Sequence, residues 1–121
     1  MGNNLYFATS TELIRVPVEG VVYISADGNY SAIKMADGGE YVLTLQLGQM
    51  EKRIAEMVDE DDNRFIRIGK SLIVNREFIV FINPARQKMI LSDGKTFRQE
   101  LSASREALKA LKELIEMEIM K

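Results

Sequence analysis

The chain has no cysteine and no histidine. Without cysteine, disulfides, thiolate nucleophiles and Cys-based metal sites are excluded, and a reducing compartment is permitted. Without histidine, the commonest general base and the commonest metal ligand are missing. Carboxylates, lysine, serine and tyrosine remain, but no pair of acids stands at a spacing that suggests acid–base work. No glycine loop cradles phosphates either, because the three Asp-Gly pairs are turn chemistry. The run Asp59-Glu60-Asp61-Asp62 reads as a solvated loop, since four consecutive acids on an extended chain cannot converge on one ion. The sequence thus predicts no enzyme, no metal and no other cofactor. No apolar run approaches the roughly 20 residues of a membrane span, and no basic-then-apolar leader precedes a small-residue cleavage site. A soluble, cytoplasmic protein without a membrane partner is expected.

What is present is ordinary globular material. A chain of 121 residues suits one domain and is long enough to bury a core without staples. The formal net charge of −2 argues against nucleic acid on its face, but it hides an asymmetry. Residues 63–112 hold 11 Lys and Arg against 4 Asp and Glu, a net +7, which leaves −9 for the rest of the chain. Charge segregated along a chain tends to become charge segregated on its surface, so a basic face can meet phosphates while an acidic back keeps the protein dissolved.

Short apolar runs separated by turn signals dominate the pattern. Asp27-Gly28, Asp37-Gly38 and Asp93-Gly94 each lie between apolar or β-branched runs and predict hairpins, because Gly takes positive φ without a Cβ clash. Strands are predicted in LIRVPV (13–18), VVYIS (21–25), YSAIKM (30–35), YVLTL (41–45), FIRI (65–68), LIVN (72–75), FIVFI (78–82), MILS (89–92) and TFRQ (96–99). Pro17 removes a ladder donor and puts the first of these at an edge. Two segments carry helical spacing. In LGQMEKRIAEMV, Leu47, Met50, Ile54 and Met57 recur on one face, and in SASREALKALKELIEMEIM the stripe is Leu108, Leu111, Ile115 and Ile119, with Ser102 or Ser104 as N-cap. The opening MGNNLYFATS carries no weight, so residues 1–11 are set aside as an extension and 12–121 as the domain. The predicted fold class is mainly β, antiparallel, with one mid-chain helix and one C-terminal helix.

Four stretches resemble the LytTR DNA-binding domain of bacterial transcription regulators, over roughly residues 12–115. VVYISADGNYSAI (21–33) is similar to the family's strand, loop and following Tyr. YVLTLQLGQMEKRI (41–54) resembles its strand running into a helix. FIRIGKSLIVN (65–75) resembles the family's most specific pattern, Phe-x-Arg-x-His-[Arg/Lys]-Ser-x-x-Val-Asn. LSDGKTFRQELSASREAL (91–108) resembles its closing hairpin and the Ser-Arg that opens the last helix. The chain departs at Gly69, where the family most often has His, and its final stretch is longer than most.

The resemblance implies an elongated β-fold that lays loops into successive major grooves of double-stranded DNA and regulates transcription. Neither a receiver domain nor a membrane sensor accompanies it, so a stand-alone domain is expected. By the same resemblance Tyr30 is base-facing, able to press on a thymine methyl, and the Asn29 side chain beside it is able to bond a phosphate. Lys70 faces DNA, and the Ser71 hydroxyl suits a phosphate oxygen. Ser104 begins the last helix, and Arg105 beside it is placed to grip guanine with two hydrogen bonds. Arg67 alternates with Ile66 and Ile68, so it points opposite to them, toward solvent or DNA. Asn75 ties down a turn, and Arg76, Arg86 and Lys88 are phosphate partners without a motif match.

A rival expectation keeps the fold but binds protein. The stripe on the last helix, with Met117 and Met120 beside it, exceeds what a cap on a small β-domain requires. Its last turn suits a second copy, as two repeated half-sites would need, or an unidentified regulatory protein.

Overall fold

Alternation of buried and exposed residues marks strands such as NLYFA and YSAIKM, while LIVN and KMILS are short apolar runs, and the computed structural model describes residues 4–120. The fold is mainly β with two helices, and the chain divides into a first unit ending at Arg76 and a second beginning at Glu77.

The first unit opens with a hairpin. β1 (Asn4–Ala8) pairs antiparallel with β2 (Leu13–Pro17), from Asn4 opposite Pro17 to Ala8 opposite Leu13. Pro17 therefore lies at the end of a two-stranded ribbon, where a missing donor costs little. Five further strands form an antiparallel sheet: β3 (Val21–Asp27), β4 (Tyr30–Met35), β5 (Glu40–Leu43), β6 (Phe65–Ile68) and β7 (Leu72–Asn75). Their order across the sheet is β5-β4-β3-β7-β6, so β3 is bonded on both edges. Ile24 stands opposite Ile33 on one side and Ile73 on the other, and all three turn to the same face.

Helix α1 (Leu47–Met57) covers that face. Leu47, Met50 and Ile54 are buried at helical spacing, and the first turn is closed by a reciprocal box in which Gln49 Oε1 accepts from Gln46 N at 2.8 Å. The core joins these helix residues to Ile24, Ile33, Leu43 and Ile73 of the sheet and to Leu5, Phe7 and Val16 of the ribbon. Two buried polar side chains are both bonded. Ser31 Oγ donates to the Leu45 carbonyl at 2.6 Å, and Asn75 Nδ2 donates to the Val21 carbonyl at 2.9 Å. Asn75 thus ties the end of β7 to the start of β3.

The second unit has a three-stranded antiparallel sheet in the order β10-β9-β8, made of β8 (Ile79–Asn83), β9 (Lys88–Ser92) and β10 (Arg98–Ser102). Helix α2 (Arg105–Ile119) lies against β8 and buries Leu108 and Leu111. Phe78 and Phe97 meet edge to face, with centroids 5.3 Å apart.

All three Asp-Gly pairs form hairpin turns, and YSAIKM, FIRI and LIVN are strands with the expected ends. Other expectations shift: β3 runs two residues past VVYIS, to Asp27, and β5 ends at Leu43 and not Leu45. Residues 4–8, assigned to an extension, form a strand whose Leu5 and Phe7 are fully buried. β10 begins at Arg98 and not Thr96, because the Asp93 carboxylate captures the backbone N–H groups of Lys95, Thr96 and Phe97 and the Thr96 hydroxyl. Those hydrogen bonds, the Thr96 hydroxyl first, hold the Asp93 carboxyl well below the usual carboxylate range. Of the two N-cap candidates Ser104 is the one used: its Oγ accepts from Ala107 N at 3.1 Å, while Ser102 still belongs to β10.

Substituting Phe7→Ala is expected to cost about 3–5 kcal/mol, the range for emptying a buried aromatic site. Urea denaturation of the variant measures it. A cost below 1 kcal/mol would mean that β1 is not part of the core.

Candidate nucleic-acid interface

Antiparallel pairing decides which turns share an end of the sheet. Asp27 stands opposite Tyr30, so only Gly28 and Asn29 connect β3 to β4, and Gly28 takes φ +63° as a two-residue turn requires. On the other edge of β3, Ser25 stands opposite Leu72, and Ala26 N donates to the Ser71 carbonyl at 2.9 Å. The turn from β6 to β7 therefore emerges beside the turn from β3 to β4. The approach to α1 leaves at the same end, where Gln46 Nε2 lies 3.5 Å from Asn29 Oδ1. Asn29, Tyr30, Lys70 and Ser71 are gathered there. All four are exposed, Tyr30 to 48%.

Gly69 takes φ +59° with open space where a Cβ would stand. Glycine enters that region without strain, whereas the family's usual His would be held in a left-handed conformation at this backbone.

Arg67 points opposite to Ile66 and Ile68, as alternation requires, but the face it reaches is the one that carries α1. Its Nη1 pairs with Glu51 of α1 at 2.8 Å. Its Nε donates to the Gly69 carbonyl at 3.1 Å and its Nη2 to the Lys70 carbonyl at 3.4 Å. One guanidinium thus fastens the β6–β7 turn to the helix behind it, which a planar fork of donors can do and an ammonium cannot.

The other cations of RFIRIGKSLIVNREFI are also sorted by their partners. Arg64 pairs with Asp62 at 3.3 Å, and Arg76 Nε donates to the Asn63 carbonyl at 2.9 Å. The Lys70 ammonium makes no ion pair among the described residues, and it stands at the tip of the braced turn.

In the second unit Ser104 caps α2, and Arg105, its first residue, is exposed. Lys88 and Arg98 share Glu100 at 3.2 and 3.8 Å, and Lys112 pairs with Glu116 at 2.8 Å. Among the described residues, Arg86, Lys95, Arg105 and Lys109 have no ion-pair partner. Lys109 was not singled out in the sequence. Its place four residues after Arg105, one helical turn further along the same face, is the signal that marks it.

A family model described as the LytTr DNA-binding domain matches residues 11–116. The chain belongs to the LytTR family. The LytTR domain binds DNA and serves transcription regulation, so DNA is its partner, and the domain is a binding one and not a catalytic one. Among solved structures, the chain is similar to the LytTr DNA-binding domain assigned to a methyl-accepting/DNA response regulator of Bacillus cereus. The identity is 21%, the TM-score 0.63, and 93% of this chain and 96% of that one are covered, a likeness of fold. No curated protein sequence matches. The LytTR match begins after β1, so that strand lies outside the family pattern although its Leu5 and Phe7 lie inside the core. Among the described residues no helix is long and apolar enough to cross a membrane.

Removing the brace is expected to loosen the turn without unfolding the LytTR domain. In Arg67→Ala, amide exchange at Gly69, Lys70 and Ser71 should rise roughly fivefold to tenfold, the equivalent of about 1 kcal/mol for a partly exposed charged hydrogen bond. Arg67→Lys should not restore protection, and hydrogen exchange read by NMR gives the result.

Proposed function

We propose that the chain reads double-stranded DNA sequence-specifically through turns placed in the major groove. The observation that carries this reading is the Gly69–Ser71 turn. It presents Lys70, whose ammonium has no ion pair among the described residues, beside Asn29 and Tyr30, and it is braced from behind by Arg67. A reader must be held in place before contact, because ordering a loose turn on DNA subtracts from affinity. Lys70 serves guanine O6/N7 or a phosphate as a point charge, and Tyr30 offers its ring to a thymine methyl. Asn29 and Ser71 suit phosphate oxygens. Arg105 takes guanine with two parallel hydrogen bonds, while Ser104 holds the helix start that aims it. Arg67 positions the turn, so its effect on DNA passes through Lys70.

Two copies on repeated half-sites in the cytoplasm fit this reading, with regulation supplied by abundance or by a protein partner. A second reading, a module that binds protein, is favoured at one place only. Met117, Ile119 and Met120 at the end of α2 are 69–81% exposed.

Selection from a random duplex pool at moderate salt is expected to enrich a direct repeat of short half-sites about one helical turn apart. On the enriched duplex, Arg105→Ala and Lys70→Ala should each weaken binding by roughly 5- to 150-fold, which corresponds to about 1–3 kcal/mol per base contact. Near-native binding by both variants would remove these residues from the reading set. No enrichment even at low salt would transfer the function to the protein-binding alternative.

A further inference from the structure

Unit 77–121 contains a groove of about 410 Å³, lined on one side by Asn83, Pro84 and Ala85 of the β8–β9 turn. Arg105, Lys109, Lys112, Glu113 and Glu116 of α2 also line it. The charges within it are ordered. Lys112 is tied to Glu116 at 2.8 Å, which neutralises the end toward the helix C-terminus. Arg105 and Lys109 have no ion-pair partner among the described residues, so the end toward the start of α2 is left basic. Arg86, exposed and likewise unpaired, follows Ala85 in the opposing turn.

The two walls are fixed to each other. Gln87 is the one non-glycine residue with positive φ among the described residues, at +54°. A side chain in that region costs energy unless its surroundings hold it there. Here the turn is closed by Gln87 N donating to the Pro84 carbonyl at 3.0 Å and by Arg86 N donating to Asn83 Oδ1 at 3.1 Å. The Gln87 carbonyl in turn accepts from Ala103 N at 3.3 Å, one residue before the helix cap. The left-handed residue therefore ties the turn to the residue that precedes the helix cap, one step beyond the Lys88–Ser102 pair of the sheet.

Rigid walls and unpaired cations at one end suit a chain of phosphates better than an apolar partner. We infer that this groove holds the sugar–phosphate backbone of the DNA, with Lys109 as a phosphate partner in its wall and Arg86 as a second one in the turn next to it. The inference rests on the DNA reading above and adds to it a backbone track beside Arg105. Phosphate contacts fix where a protein sits on a duplex without choosing its sequence. Lys109 then sets how firmly Arg105 is held in register, not which base it prefers.

The test uses the full chain and two duplexes of equal length, one enriched by selection and one unrelated, titrated from about 50 to about 200 mM salt. Lys109→Gln is expected to lower the slope of log affinity against log salt by about 0.9, and to weaken both duplexes by the same factor, about eightfold near 0.1 M salt. Arg86→Gln should behave alike, and Lys109→Arg should keep the native slope. Lys52→Gln, on the exposed side of α1, should leave the slope unchanged and controls for net charge alone. The groove assignment is overturned if Lys109→Gln keeps the native slope, if its loss is confined to the enriched duplex, or if Lys52→Gln lowers the slope equally. In each of those cases a wild-type protein that still discriminates the duplexes leaves the DNA reading standing. A wild-type protein that binds neither duplex removes both.

Discussion

The pairing of β3 on both of its edges is the constraint on which the first unit depends. Because β4 and β7 both run antiparallel to it, Ile24, Ile33 and Ile73 meet on a single face, and that alignment gives α1 a surface to cover. The same pairing brings the β3–β4 and β6–β7 turns out at one end. A slip of one residue between β3 and β7 would turn Ile73 away from the core and carry the Ser71 carbonyl off Ala26. Core packing and the placing of the β3–β4 and β6–β7 turns are therefore one event in the folding of this chain. The two-residue Gly28–Asn29 turn and the buried Asn75 bond to Val21 fix the register from either side.

Positive charge in a core-forming segment raises a conflict, and it is resolved by giving each cation a different duty. In RFIRIGKSLIVNREFI, Arg64 and Arg76 bond to the loop that precedes β6, and Arg67 bonds two turn carbonyls and a helix carboxylate. Guanidinium groups do the fastening because each offers several donors in fixed directions. The ammonium stands at the tip. Lysine is a compact charge that needs no partner geometry, which suits a group meant to meet a ligand that arrives from outside. The second unit divides its charge similarly, with Lys88, Arg98 and Lys112 held by carboxylates and the start of α2 left basic.

Much of the fold was legible because period-two alternation and Asp-Gly turns are local signals. YSAIKM, which alternates and lies between two Asp-Gly turns, needed nothing else, whereas LIVN was legible as a short apolar run, buried at every position. β10 was misplaced by two residues because a single carboxylate gathers three backbone N–H groups, and no window of hydrophobicity contains that. β1 was missed for another reason. NLYFA alternates well, but a short alternating stretch at the start of a chain looks the same whether or not a core awaits it. Of the site, the exposed turns could be anticipated from the motif. The direction of Arg67 could be read as opposite to its neighbours, but not as facing a helix, because alternation names a face without saying what lies on it. The groove beside α2 was invisible, since it needs the left-handed backbone of a glutamine.

The position of β1 bears on where the domain may be cut. A boundary drawn at the family match would begin near residue 11 and discard the strand that supplies Leu5 and Phe7. What remained would leave Val16 without Leu5 opposite it and would uncover α1 where β1 meets it. The working unit of this protein is thus longer than its family pattern, and any fusion partner or affinity handle at the amino end has to be joined upstream of Asn4.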